Sequence, residues 1–184
     1  MKRCILVIDM LRDFLEPGAP LEVPKARDIV PKLKKLLEEA RRAKIPIVYV
    51  CDSHREFDWE FSIWPKHCVE GTRGSEVVDE LKPERGDIIV RKRRYSGFYG
   101  TDLEMVLREL GIEEVIVTGI LTNICVLFTA ADAFMRGFKV VVVRDCTAST
   151  SSELHEAALK IMEVALKARI VTSEELIKEL TSRS

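Results

Sequence analysis

Glutamine is absent from this chain of 184 residues, and asparagine occurs once, as Asn123. Heat-labile amides are thus nearly excluded, while Asp, Glu, Lys and Arg make up 32% of the chain. That balance matches the composition of proteins from hot environments. A charge excess is missing too: 29 Lys and Arg face 30 Asp and Glu, for a formal net charge of -1. No global basic footprint for nucleic acid or an anionic membrane follows from it. No apolar run approaches the ~18–20 residues needed to span a bilayer, and Cys4–Ile8 is too short for the core of a signal peptide. The expected compartment is therefore the cytoplasm. Cys-x-x-Cys pairs are lacking as well. The five cysteines, Cys4, Cys51, Cys68, Cys125 and Cys146, are odd in number. In a reducing compartment they disfavour a disulfide framework or a four-thiolate zinc site. Each is then a small buried residue or a reactive thiol.

What is present is enough for a core. Apolar residues make up 47%, and a chain of this length buries about two thirds of its unfolded surface. Residues 1–184 read as a single domain. Short β-branched runs mark strands at Cys4–Asp9, Ile47–Cys51, Asp87–Arg91, Glu114–Thr118, Lys139–Arg144 and Arg169–Val171. Most are continuously apolar, as strands covered on both faces are. Between them lie amphipathic stretches. The first carries Ile29, Leu33, Leu36, Leu37 and Ala40, with Asp28 expected as cap and Pro31 in the first turn. The next opens on a capping box, Thr101-x-x-Glu104, and ends at Gly111. A third runs from about Ile124 to Arg136, and a fourth from about Ser152 to Lys167 behind a box at Thr150-x-x-Glu153. The last covers about Ser173–Leu180, and residues 181–184 read as a frayed tail. The alternation predicts a three-layer α/β/α doubly wound domain of about six mainly parallel strands in the order 3-2-1-4-5-6.

In such sheets ligands bind at the carboxyl ends of the strands. The first strand ends on Asp9, which is either a capping group or a carboxylate with a chemical task. The third runs into Lys92-Arg93-Arg94; in a buried strand alternate side chains face opposite ways, which argues against a nucleic-acid patch. The fourth leads through Thr122 and Asn123 to Cys125, on a strand-to-helix turn where the helix dipole lowers a thiol pKa and backbone N–H groups converge. Cys125 is there either a packed residue or a nucleophile. With the expected strand order, base, ammonium and thiol share one cleft. A long irregular segment, residues 53–74, follows strand two. Asp52 and His54 at its start, with His67 beyond, make a two-His, one-carboxylate set with open positions for a metal, or else loop histidines in solvent. Cys68 is taken as packed, and His155 as a surface residue.

Three motifs carry a resemblance: Val7-Ile8-Asp9-Met10-Leu11-Arg12-Asp13-Phe14, Lys92-Arg93-Arg94-Tyr95-Ser96-Gly97-Phe98 and Gly119-Ile120-Leu121-Thr122-Asn123-Ile124-Cys125-Val126. The chain resembles the isochorismatase-like cysteine hydrolases, and the likeness implies a catalytic set of Asp9, Lys92 and Cys125. It implies an oxyanion hole from the backbone of Leu121 and Cys125, with a cis peptide at Ile120–Leu121. The segment Asp52-Ser53-His54 with Trp64-Pro65-Lys66-His67 is similar to nicotinamidases. That likeness implies a divalent metal on Asp52, His54 and His67, zinc first and iron or manganese next, and an aromatic pair, Phe14 and Trp64, around the substrate ring. Thr122 and Asn123 are expected to contact substrate. The Thr122-Asn123-Ile124-Cys125 form is closer to carbamoylsarcosine and ureidoacrylate amidases, which leaves two amide classes open beside a catalytically silent binding protein with a reactive thiol. The implied partners are a small-molecule amide and other copies of the chain, as a dimer or tetramer, with no nucleic acid and no membrane.

Overall fold

The computed structural model describes residues 1–182. Six strands form one parallel sheet: β1 (Arg3–Ile8), β2 (Ile47–Asp52), β3 (Ile88–Lys92), β4 (Glu114–Ile120), β5 (Lys139–Ala148) and β6 (Arg169–Val171). Their order is β3-β2-β1-β4-β5-β6, as the alternation of elements predicts. The helices are α1 (Arg12–Leu15), α2 (Pro24–Arg42), α3 (Leu103–Glu109), α4 (Leu127–Met135), α5 (Ser152–Ala165) and α6 (Ser173–Thr181). Among the described residues, no helix is long and apolar enough to cross a membrane.

Strand periodicity divides the core in two. Ile5 and Val7 of β1, with Tyr49, Ile116 and Val141, pack against Leu33, Leu36 and Leu37 of α2 and Leu176 of α6. The intervening residues, Cys4, Leu6 and Ile8, with Val48, Val50, Val115 and Val117, face Leu103, Ala130, Leu159 and Met162. Each of these side chains is almost wholly buried, which explains why the strands read as unbroken apolar runs.

Helix starts differ from the sequence expectation in three places. Helix α2 begins at Pro24 behind Val23, so Asp28 is not its cap and Pro31 lies inside it. Pro24 suits a first helical position, and Pro31 only deprives the Arg27 carbonyl of one N–H partner. Helix α3 starts at Leu103, and the Thr101-x-x-Glu104 box does not form. The Thr101 hydroxyl donates to the Gly97 carbonyl and accepts the Leu103 N–H at 3.2 Å, not that of Glu104, and Glu104 pairs with Arg108 and Arg136. Helix α5 is capped by Ser151, which accepts from the Leu154 N–H, and not by Thr150. A capping box is found at α6, where Thr172 and Glu175 bond reciprocally. Thr181 belongs to α6 and Ser182 caps it, while 183 and 184 of the expected tail lie outside the described residues.

The segment between β2 and β3 is long but tied down. His54 bridges Val69, Leu11 bridges Val77, and the Cys68 N–H donates to Asp13 Oδ2 at 2.7 Å. At the centre of the sheet, β4 runs against β1 without room for a side chain at Gly119. Its φ is +100°, and a Cβ there would stand 2.0 Å from the Ile8 carbonyl oxygen. Gly119→Ala is expected to cost at least about 2 kcal/mol, lowering Tm by roughly 4 °C or more. Thermal unfolding of the purified variant followed by circular dichroism checks this.

Candidate active site

The strand order brings three chain-distant side chains to one place. Asp9 follows β1, Lys92 closes β3, and Cys125 lies in a π-helical turn, Thr122–Val126, between β4 and α4. In that turn the Val126 N–H reaches the Leu121 carbonyl at 3.1 Å. The Ile120–Leu121 peptide is cis. The Lys92 ammonium is essentially unexposed. Its Nζ stands 2.9 Å from Asp9 Oδ2, donates to Asp52 Oδ1 at 2.5 Å and donates to Cys125 Sγ at 3.4 Å. Asp9 Oδ1 accepts the Asp52 backbone N–H at 2.8 Å, which locks the carboxylate in place. Asp9 itself has a φ of +52°, a conformation that aspartate tolerates better than most residues.

The electrostatics follow from burial and proximity. Burial, and then the Asp52 carboxylate, raise the Asp9 pKa to about 6 against the pull of Lys92. Burial also raises Asp52, but Lys92 and the two imidazoles more than reverse this and hold it far below the usual range. Lys92 is penalised by burial, yet Asp52 and Asp9 keep its pKa well above normal. For Cys125 the expected fall in pKa is not found. Burial pushes the thiol well up, and Asp9 and Asp52 work against the help from Lys92. A thiol in this setting is a protonated group beside a base, not a standing thiolate. The other cysteines are packing residues. Cys68 Sγ sits 3.9 Å from the Gly74 carbonyl, with its pKa raised by burial.

The Asp/His/His set also converges. One ligand atom each from Asp52, His54 and His67 lie within 4.8 Å of one another, and all three residues are buried. Asp52 Oδ2 faces His54 Nε2 at 3.6 Å and His67 Nε2 at 3.7 Å. Each imidazole is held from behind. His54 Nδ1 contacts Asp58 Oδ2 at 2.9 Å, and His67 Nδ1 donates to the Pro65 carbonyl at 2.7 Å. His54 Nε2 is buried with no hydrogen-bond partner among the described residues. Two Nδ1-anchored imidazoles that aim Nε2 at a carboxylate oxygen fit a divalent cation well. Asp58, fixed by Arg93 and the Arg55 N–H, is the outer support of this set.

These groups open onto a cavity of about 470 Å³ lined by Asp9, Asp52, His67, Cys125, Phe14, Trp64 and Asn123, among others. Phe14 packs on His67 with ring centroids 5.5 Å apart. Asn123 Oδ1 accepts from the Ser149 hydroxyl at 2.6 Å. Thr122 is buried and does not line the cavity; its hydroxyl contacts His155 Nδ1 at 2.8 Å. His155 is therefore a support for the turn that carries Cys125 and not a plain surface residue. Among the lining residues that escape sequence reasoning, two carry polar contacts at the site. Glu60, on a short 3-10 turn, comes within 3.9 Å of His54 Nε2, and the Tyr95 hydroxyl accepts from Trp64 Nε1 at 3.0 Å. Only Tyr95 had a signal, by standing inside the Lys92 motif.

A profile of the isochorismatase domain matches residues 3–175. The chain belongs to the isochorismatase family. Solved relatives agree over nearly the whole chain. An isochorismatase-like hydrolase from Alkaliphilus metalliredigens is 41% identical, with a TM-score of 0.93, covering 97% of this chain and 99% of that one. N-carbamoylsarcosine amidase from Thermoplasma acidophilum is 38% identical, with a TM-score of 0.87 and coverage of 94% and 97%. The pyrazinamidase of Pyrococcus horikoshii, solved in complex with zinc, is 35% identical, with a TM-score of 0.87 and coverage of 94% and 99%. These relatives make this isochorismatase-family chain a hydrolase. Two of the three are amidases by name, one of N-carbamoylsarcosine and one of pyrazinamide.

Asp58→Asn is expected to weaken zinc binding by about 10–100-fold, since it removes the charge that orients His54. Titration calorimetry with zinc, set beside a Tm that stays within a few degrees, checks this.

Proposed function

We propose that this protein is a cysteine amidohydrolase that converts a small planar carboxamide to acid and ammonia, with nicotinamide the leading substrate. The observation that supports this most is one cavity walled by Cys125, Asp9, Asp52 and His67, with Lys92 behind the first two and His54 completing the donor set. Asp9 accepts the Cys125 proton as Sγ attacks the amide carbonyl. Lys92, 3.4 Å from Sγ, stabilises the negative charge that passes between thiol and carboxylate. Backbone N–H groups of Leu121 and Cys125 hold the tetrahedral oxyanion. Asp9 returns the proton to the departing nitrogen and ammonia leaves a thioester on Cys125. Water, deprotonated by the same carboxylate, then releases the acid. Phe14 and Trp64 hold the ring, with Trp64 steadied by Tyr95.

Asp52, His54 and His67 would hold a divalent ion, zinc before iron or manganese, which when bound supplies a Lewis-acidic docking point for a heteroaromatic nitrogen. A second reading, a carbamoyl or ureido amidase acting without metal, is supported by Asn123 two residues before Cys125 and by the likeness to N-carbamoylsarcosine amidase.

Zinc-loaded protein is expected to release ammonia from nicotinamide, and Cys125→Ala to lose at least about 10³-fold in kcat. No release by the loaded protein removes nicotinamide, and release that survives the substitution removes the thioester route. A chelator that abolishes turnover favours nicotinamide over the carbamoyl reading. Because Asp9 is the base only when ionised, kcat/KM should rise as pH passes upward through about 6 and then level. A profile flat from pH 5 to 8 would assign the base to another group.

A further inference from the structure

Helix α4 is built inside out. It buries Thr129, Ala130 and Ala133 against the sheet and turns its large side chains to solvent: Met135 is 69% exposed, Phe128 48% and Phe134 43%. Only Thr129 and Asp132 among its nine residues are polar. Asp132 pairs with Arg136, which reaches Glu104 of α3, so the polar flank of α4 turns toward α3.

Helix α5, its neighbour on the same face of the sheet, is apolar over too wide an arc. At 3.6 residues per turn its apolar side chains span about 220°, broken by His155 alone, where about 100° serves a helix packed on one side. Ala158, Leu159 and Met162 fill the inner part of that arc. The outer part carries Leu154, Ala157, Ile161 and Val164, all exposed. Leu154 lines the cavity together with Ile124, which stands in the turn before α4. The outer strip of α5 therefore lies on the α4 side, and the two exposed surfaces adjoin.

We infer that this α4–α5 face joins two copies of the chain about a two-fold axis, with their α5 helices antiparallel. Its size suits that occupant. Six large apolar side chains left about half bare make a patch on the order of 500 Å², where an exposed patch marks an interaction site. The alanines between them and a charged rim bring it toward the ~800 Å² that each partner gives to a standard interface. The spacing suits it as well. Positions 154, 157, 161 and 164 alternate by three and four, the seam of two packed helices. A two-fold axis sets Leu154 opposite Val164 of the partner subunit and small Ala157 opposite large Ile161 of the partner subunit.

The charges complete the match. Glu156 pairs with Arg144 and Lys160 with Glu163. Glu153 in the first turn of α5 and Lys167 just past its end have no ion-pair partner among the described residues. Antiparallel helices bring each of these to the other across the axis. Lys160 falls opposite its own copy, with Glu163 beside it at 2.8 Å. A rim of both signs lacks the basic border of a helix that lies on an anionic membrane. Because Leu154 belongs both to the seam and to the cavity wall, the second copy would stand at the rim of the cavity. The inference does not depend on the reaction catalysed.

Sedimentation velocity on the full chain at micromolar concentration is expected to give a particle of two chains. Ile161→Glu with Val164→Glu, and separately Met135→Glu, should each weaken association at least about 100-fold by burying unpaired carboxylates. All three positions are exposed in the single chain, so circular dichroism should stay unchanged. Glu153→Lys alone or Lys167→Glu alone should weaken association about 10-fold, and the two together should restore it. A wild-type monomer overturns the inference, and its adsorption to phosphatidylglycerol vesicles would give the face to a membrane. An assembly that survives the changes at 135, 161 and 164 places the interface elsewhere and overturns it too. A tetramer that those changes reduce to dimers supports it. Charge reversal without rescue overturns the antiparallel arrangement.

Discussion

One buried ammonium organises the site. Lys92 closes β3 with its side chain shut off from solvent, and it is bracketed by Asp9 and Asp52. Neither carboxylate could remain charged in that interior alone, and Lys92 could not remain protonated without them. Their mutual burial fixes the positions of the ends of β1, β2 and β3, since each group stands at or just beyond the end of one of these strands. It also fixes where Cys125 can stand, because Sγ completes the coordination of the same nitrogen. The parallel sheet is what permits this. Side-by-side strands that end together deliver their terminal side chains to one point, and β1, the central strand, is flanked by β2 and β4.

The strand order, the two-sided burial of the strands and the meeting of Asp9, Lys92 and Cys125 were all legible in the sequence. They follow from coarse signals: apolar runs of strand length, helical spacing between them, and polar residues at the run ends. Helix caps were less legible, for a specific reason. Thr101 and Thr150 each stand before a plausible Glu, but Thr101 bonds the Gly97 carbonyl and the Leu103 N–H, and Ser151 caps α5 in place of its neighbour. Side-chain hydroxyls choose among nearby backbone groups by tertiary position, which local pattern does not encode.

The pKa of Cys125 illustrates a different limit. The helix-terminus argument is sound in isolation, but it counts one favourable field. Complete burial and two adjacent carboxylates act on the same sulfur and dominate. Likewise Glu60, Tyr95 and the link between His155 and Thr122 depend on how the segment between β2 and β3 and the start of α5 fold over the cavity. Apart from Tyr95, which stands inside the Lys92 motif, nothing in their local sequence distinguishes them from surface residues. The histidines of that segment were legible because Asp52 and His54 alternate at a strand end, and so fall on one side.

Asp52 divides its two oxygens between different tasks, Oδ1 on Lys92 and Oδ2 toward the imidazoles of His54 and His67. The carboxylate is thus a shared ligand of two neighbouring centres. A cation drawn to Oδ2 withdraws negative charge from Oδ1, and the ammonium of Lys92 then leans its field toward Asp9 and the sulfur of Cys125. By thermodynamic reciprocity, deprotonating that thiol must change the hold on the cation by the same factor. Cys125 and the Asp52, His54 and His67 set would then be two ends of one titrating unit, joined through the two oxygens of Asp52.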